Sequence, residues 1–351
     1  MKTLVLVGAG HAHVVALHHW FLSPLKDIQI ILISNVEYAP YSGMLPGYLA
    51  GFYQHHEIVF DLKALSAHYQ IKLIIAEVTS LDEKSNQLNL TTGETINYDC
   101  LSLNIGILPE RINSEDYASV IYVKPLSQFI PKWIEFTSAQ QVDQVIVVGS
   151  GPAGFELAQA IRLKTKGKIC LISEASDVLM DMPASVRSKA RKLLQKNGIS
   201  LRTNSHVESI RPGELTLSDG KKLAFDFAFV ATRAKPYPWL GFLSTDKFLR
   251  VLNQSNIYAA GDCINFNGTP LPKAGVYAVR QGPILCHNLQ SHFTQSPLKA
   301  FKPQKQYLKI LISGPRTALA IRSGWHLSGK LAWKWKDKID RNFMKTYGIS
   351  P

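Results

Sequence analysis

Along the first two thirds of the chain, short apolar runs alternate with glycine turns and segments of helical period. Residues 3–7 form a β-rich run that ends in Gly8-Ala9-Gly10-His11-Ala12-His13. A helical pattern follows to about Phe21, then a second apolar run at 28–33. The order is strand, glycine turn, helix, strand. It returns at 144–148, Gly149-Ser150-Gly151-Pro152-Ala153-Gly154, a helical pattern to about Lys164, and 168–172, with the two turns 141 residues apart. A later echo supports the repeat. Residues 98–109 align with 225–236, so that Asp99 pairs with Asp226 and Pro109 with Pro236. Each segment follows a predicted hairpin turn, Thr92-Gly93 or Asp219-Gly220. The pattern predicts two complete nucleotide-binding units of α/β class.

The last part of the chain is patterned differently. From Lys330 to Tyr347 the period is helical, with Leu331, Ala332, Trp335, Ile339, Phe343 and Tyr347 on one side. Lys330, Lys334, Lys338, Arg341 and Lys345 cluster opposite within about 80°. Lys336 and Asp340 intrude on the apolar side. Two expectations remain open for this helix: it lies in a membrane interface with its lysines on anionic lipid, or its apolar stripe packs on the body. Both hold together if Trp333 and Met344 stay exposed.

Charge follows the same division. The 351 residues carry 39 Lys+Arg and 26 Asp+Glu, a net +13. Residues 301–351 hold 11 basic and 2 acidic residues, which is +9 and leaves +4 for the rest. A chain basic throughout would suggest nucleic acid; a nearly neutral body with a basic, Trp-containing end does not. No apolar stretch approaches the ~20 residues of a spanning helix, and the N-terminal run is broken too early for a signal peptide. Cys100, Cys170, Cys263 and Cys286 are too widely spaced for a CxxC pair or zinc knuckle. The adjacent pairs His18-His19 and His55-His56 point apart on a helix, so no metal site is expected. These features predict a cytoplasmic protein, peripheral at most on the inner face of a membrane.

Glycine turns of this kind bring backbone close to a pyrophosphate and aim helix N-terminal amides at its charge. In the second copy Gly149, Gly151 and Gly154 complete the pattern, and Glu174 follows the next strand where a carboxylate can bind a ribose 2′-OH. That favours NADH over NADPH. The first copy departs: Gly8 and Gly10 are present, but His13 stands at the third glycine position and Asn35 at the place of Glu174. Ser34 or Asn35 can bond a ribose without charge, and His11 and His13 are candidates to touch a pyrophosphate.

Far along the chain, Ile257-Tyr258-Ala259-Ala260-Gly261-Asp262-Cys263 is a strand ending in Gly-Asp. The order of glycine turn, second glycine turn and Gly-Asp resembles the pyridine nucleotide-dependent flavoproteins. The resemblance implies two Rossmann-like dinucleotide-binding domains, the FAD domain interrupted by the NAD domain, plus a short α+β C-terminal segment. Its expected boundaries are 1–110 and 238–298 for FAD, 111–237 for NAD(H), and 299–351 for the basic segment. In this family Asp262 would accept hydrogen bonds from the ribityl chain of FAD, beside Gly261.

The segment 38–48 lacks the cysteine pair of the disulfide reductases. It resembles instead a segment near the flavin of type II NADH dehydrogenases, which implies Ser42, Gly43 and Met44 as flavin neighbours. These enzymes also carry a Glu two residues beyond the third glycine, matched by Glu156. That residue would lie near nicotinamide and flavin, or would simply favour its helix dipole. Gln281 would face the flavin and a quinone pocket from a helix start, with Lys273, Ala274 and Gly106 as further cofactor contacts.

Four motifs together, at 10–13, 40–47, 273–282 and 335–344, resemble the oxidoreductase group associated with selenophosphate synthetase. Its relatives in photosynthetic organisms are demethylphylloquinone and plastoquinone reductases. Arg233 departs from that group, which usually has Gly in this turn. The resemblance implies hydride transfer from NADH to FAD and electrons onward to a quinone-like acceptor, without a redox disulfide. The alternatives are reduction of a selenium or sulfur compound, and a flavin-bearing binding protein that docks through its basic end. The oligomeric state is open.

Overall fold

A computed structural model describes residues 1–113, 117–232, 234–268 and 271–349; Arg233, singled out above, lies outside the described residues. Two five-stranded parallel sheets carry the chain. The first runs in the order Ile257–Ala259, Cys100–Leu103, Lys2–Val7, Ile28–Ser34, Lys72–Ile75. The second runs Val120–Tyr122, Phe227–Val230, Gln144–Val148, Lys168–Ile172, Ile199–Arg202. These strands read as continuous apolar runs because both faces of the sheets are covered; in the second sheet one face packs on the antiparallel strands between Val207 and Ala224. Leu4 to Val7 and Val145 to Val148 are all buried.

The repeat extends to matching detail. Lys2 registers with Ile28 in the first sheet, and Gln144 with Lys168 in the second. Each half adds a three-stranded antiparallel meander, Val78–Asp82 to Thr95–Asn97 or Val207–Arg211 to Lys222–Ala224. One strand of each sheet is set apart in sequence: Ile257–Ala259 returns from beyond the second half to pair with Cys100–Leu103. Its Gly-Asp end is thereby set beside the first glycine turn.

The C-terminal segment is α+β, with three antiparallel strands between Lys309 and Gly329 and the helix Lys330–Tyr347. This helix packs on the body through a face rotated from the apolar stripe, which keeps Ala332 and Phe343 of that stripe but not Leu331, Trp335 or Ile339. Ala332 and Trp333 are buried, Trp333 between Phe52 and Tyr53, with ring centroids 4.8 and 5.8 Å away. Phe343 stacks on Tyr41 at 4.5 Å. Lys336 and Asp340, the apparent intruders, are buried as an ion pair of 3.0 Å. Leu331, Trp335 and Ile339 point outward, 70%, 40% and 42% exposed. The condition under which both readings would hold, an exposed Trp333, is not met: the helix is turned so that its polar pair meets polar partners on the body.

Candidate functional site

The two glycine turns flank a cleft of about 860 Å³. Its floor is the first turn, Gly8 to His11. One wall is Ser34 and Asn35, at the end of the second strand; another is Gly261, Asp262, Lys273 and Ala274. The second-turn helix, Pro152–Arg162, contributes Pro152, Glu156 and Leu157, while Leu45, Leu49, Leu308 and Ile310 give an apolar side.

The turns are built on one plan with different parts. In the second, a Cβ on Gly154 would overlap the Gly149 carbonyl oxygen, so helix and strand close only without a side chain there. In the first, His13 occupies that place and bonds the equivalent carbonyl, with Nδ1 2.6 Å from Gly8 O and Nε2 2.8 Å from Ser102 Oγ. A carbonyl only accepts, so Nδ1 carries the proton and Nε2 accepts from the serine. Burial pulls His13 down to about 4, which keeps it neutral. Thus His13 holds the turn from beneath and does not line the cleft, contrary to its expected contact with a pyrophosphate.

Asn104, which the sequence reading missed, completes the brace. Its Oδ1 accepts from Ala12 N and His13 N at 3.1 and 3.3 Å, and its Nδ2 donates to Ala260 O at 2.7 Å. One side chain therefore ties the first turn to the returning Gly-Asp strand. The echo held a signal, because Asn104 aligns with Ala231, a polar residue against an apolar one at the end of matching strands.

Other expected residues fall into place unevenly. Gly8, Gly10, His11, Ser34, Asn35, Ser42, Gly106, Glu156, Gly261, Asp262, Lys273 and Ala274 line the cleft. Gly149, Gly151, Gly154 and Glu174 belong to the second turn, outside that lining; Glu174 is exposed and 3.3 Å from His206 Nδ1. Met44 is buried, and Gly43 offers its carbonyl to Lys336 Nζ at 2.7 Å. Gln281 does not face the cleft. Its helix begins earlier, at Gly275, so Gly275, Val276 and Ala278 line the cleft, while buried Gln281 accepts from Gly261 N at 2.7 Å.

His11 stands beside the stacked rings of Tyr41 and Phe343, its Nε2 3.5 Å from Ser42 Oγ. Burial brings it to about 4 against the pull of Asp262, so it meets a ligand as neutral imidazole. Burial drives Glu156 the other way, up to about 7, although Lys336 and a 2.7 Å bond from Ile312 N both favour its carboxylate. The described cysteines are free, and Cys263 is buried behind Asp262, its thiol pushed up to about 11 by desolvation. No cysteine lines the cleft.

The family described as pyridine nucleotide-disulphide oxidoreductase matches residues 2–282. The chain belongs to this family. Among its relatives, ferroptosis suppressor protein 1 of Taeniopygia guttata is 26% identical over 253 residues, 65% of this chain and 65% of that protein. An NADH dehydrogenase-like protein of Mycobacterium tuberculosis is 29% identical over 219 residues, 54% of each. Thus these matches span between half and two thirds of the relatives' lengths. In fold, the chain is similar to the sulfide:quinone oxidoreductase of Aquifex aeolicus (TM-score 0.83, 16% identity, 100% of this chain and 93% of that one). NDH2 of Plasmodium falciparum in complex with NADH is similar too (TM-score 0.80, 15% identity, 99% and 97%).

FAD and NAD(P)H are the cofactors of this family of oxidoreductases. The cleft fits FAD on its own terms. The helix His11–Leu22 opens on it with no acidic residue in its first turn. Asn35 and Ser34 offer uncharged hydrogen-bonding groups where a ribose would lie, and an added Cβ on Gly106 would meet nothing within 4 Å.

Proposed function

We propose that this oxidoreductase takes hydride from NADH through FAD and reduces a quinone-like acceptor, at the surface of a membrane. The observation that carries the acceptor is the cleft itself: it joins both turns, has an apolar side, and offers Glu156 rather than a cysteine pair. FAD, when bound, supplies the hydride-accepting and electron-donating chemistry. This chain's residues do the rest. Gly8 and Gly10 admit the pyrophosphate and Asp262 accepts from ribityl hydroxyls, while Gly149, Gly151 and Gly154 with Glu174 take NADH. Overall, NADH, one proton and the quinone become NAD⁺ and quinol. NADH brings two electrons and one proton, and Glu156, near neutrality and on the wall, passes in the other proton.

The outward ridge of Leu331, Trp335 and Ile339, with exposed Lys334 and Lys338 beside it, supports peripheral contact with anionic lipid. Among the described residues no helix is long and apolar enough to cross a membrane. Reduction of a selenium or sulfur compound through a thiol is less favoured, because Cys263 is buried and protonated.

The test is anaerobic reduction of the FAD-loaded protein by NADH, followed by a panel of soluble quinones, oxygen, and sulfur or selenium compounds while flavin absorbance is followed. Fastest reoxidation by quinone is expected. Reoxidation no faster with quinone than with oxygen would overturn the proposal.

A further inference from the structure

Lys124 had no place in the sequence reading. It follows the strand Val120–Tyr122 of the second sheet, yet its Nζ reaches across to Asp262 Oδ2 of the first half at 2.9 Å, and both residues line the cleft. The ion pair therefore spans the two halves at the wall assigned to FAD.

We propose that Lys124 is a charge-setting residue of the flavin site: by pairing with Asp262 it cancels a carboxylate that would otherwise oppose reduction of the cofactor. The inference rests on the FAD reading of the cleft and goes beyond it. Hydride transfer adds a negative charge to the acceptor, so an unpaired anion nearby makes reduction harder and a paired one does not. Lys273 feels the charge of Asp262 only through space and forms no ion pair with it. Lys273 Nζ is committed to Ile264 O at 2.8 Å and lies 4.5 Å from the centre of the Phe242 ring. Neutral His11 contributes no charge. Among the described residues Lys124 is the cation paired with Asp262, and its placement makes the potential of the first half depend on a residue of the second.

The experiment measures the midpoint potential of bound FAD by equilibration with a two-electron reference dye in the wild type and in Lys124→Met, Lys124→Gln and Lys124→Arg. Lys124→Met and Lys124→Gln should both shift the dye equilibrium at least tenfold toward oxidised flavin, about 30 mV. Lys124→Arg should restore it. Adding Asp262→Asn to Lys124→Met should bring the potential back toward wild type, because it removes the uncompensated charge; a purely structural role predicts further loss. Dye equilibria of Lys124→Gln and Lys124→Met within threefold of wild type, with FAD bound stoichiometrically, would overturn the inference. A wild type that holds no FAD would overturn the cofactor reading along with it.

Discussion

Lys336→Met tests how the C-terminal helix is held. In the folded chain the Lys336 ammonium donates to Asp340 Oδ2 at 3.0 Å and to Gly43 O at 2.7 Å, and Tyr41 OH donates to Asp340 Oδ1 at 3.2 Å. Both charged side chains are nine-tenths or more buried. Methionine keeps most of the volume but leaves a buried carboxylate with one hydroxyl donor. Breaking one side of such a pair costs about 3–5 kcal/mol, whereas replacing both sides with apolar groups costs far less. The double variant Lys336→Met/Asp340→Leu should therefore recover at least half of the loss. Urea unfolding of the FAD-loaded protein, followed by tryptophan fluorescence, gives both values from the midpoints. Burial already pushes Asp340 above the ordinary carboxylate range, and Lys336 is the first of the groups opposing that push. Without Lys336 the folded pKa rises further above the unfolded one. The carboxyl's contribution is then retained below the unfolded pKa and lost as pH climbs through the folded one, so the deficit should be larger at pH 8 than at pH 5.5. A single variant that loses less than about 1 kcal/mol at pH 8, or a double variant whose cost is the sum of the singles, would refute the reasoning.

Three further outcomes are expected. Asn104→Ala should cost about 1–3 kcal/mol, because it leaves the Ala12 amide without its acceptor, while the His13 amide keeps Gly10 O at 3.0 Å and the Ala260 carbonyl keeps the Cys263 thiol at 3.3 Å, and it should lower FAD content on purification more than NADH affinity. Gly154→Ala forces a methyl into the Gly149 carbonyl; titration with NADH should show binding weakened at least tenfold, with FAD content retained. Glu156 is protonated below about 7, so the rate of quinone reduction at saturating NADH should fall as pH rises through that value. A stopped-flow profile of Glu156→Gln should lack this limb, and in Lys336→Met the limb should move upward, since the Lys336 ammonium is the strongest of the groups that favour the Glu156 carboxylate.

The parts legible in the sequence were those whose chemistry is local. A strand, a glycine turn and a helix can be read within 20 residues, and Gly261-Asp262 marks the returning strand because glycine and aspartate meet at its end. Residues whose role depends on a distant partner were not legible. Lys124 is an isolated lysine before a proline until the two halves are brought together. Gln281 was set one turn or more too near the helix start, because nothing in 272–283 marks Gly275 as the first helical residue. The helical wheel of the C-terminal segment counted Lys336 and Asp340 against burial, since a wheel assumes an apolar partner; Gly43 O and Tyr41 OH make that partner polar.

The divergence of the two halves has a physical direction. Where the second turn has Gly154, Phe229 and Ala231, the first has His13, Ser102 and Asn104, and these three polar residues bond the turn, the strand Cys100–Leu103 and the returning strand into one network. The second turn instead closes helix on strand over Gly154 and keeps one side-chain bond, Ser150 Oγ to Ser173 Oγ at 2.6 Å, with an exposed Glu174 at its rim. A turn fixed by buried hydrogen bonds loses little further freedom when a ligand binds, which favours long retention. An open turn with an exposed carboxylate permits rapid exchange. On this argument the same fold was adapted once to keep its dinucleotide and once to release it, as an enzyme that takes hydride from a diffusing cofactor and holds it on a resident one requires.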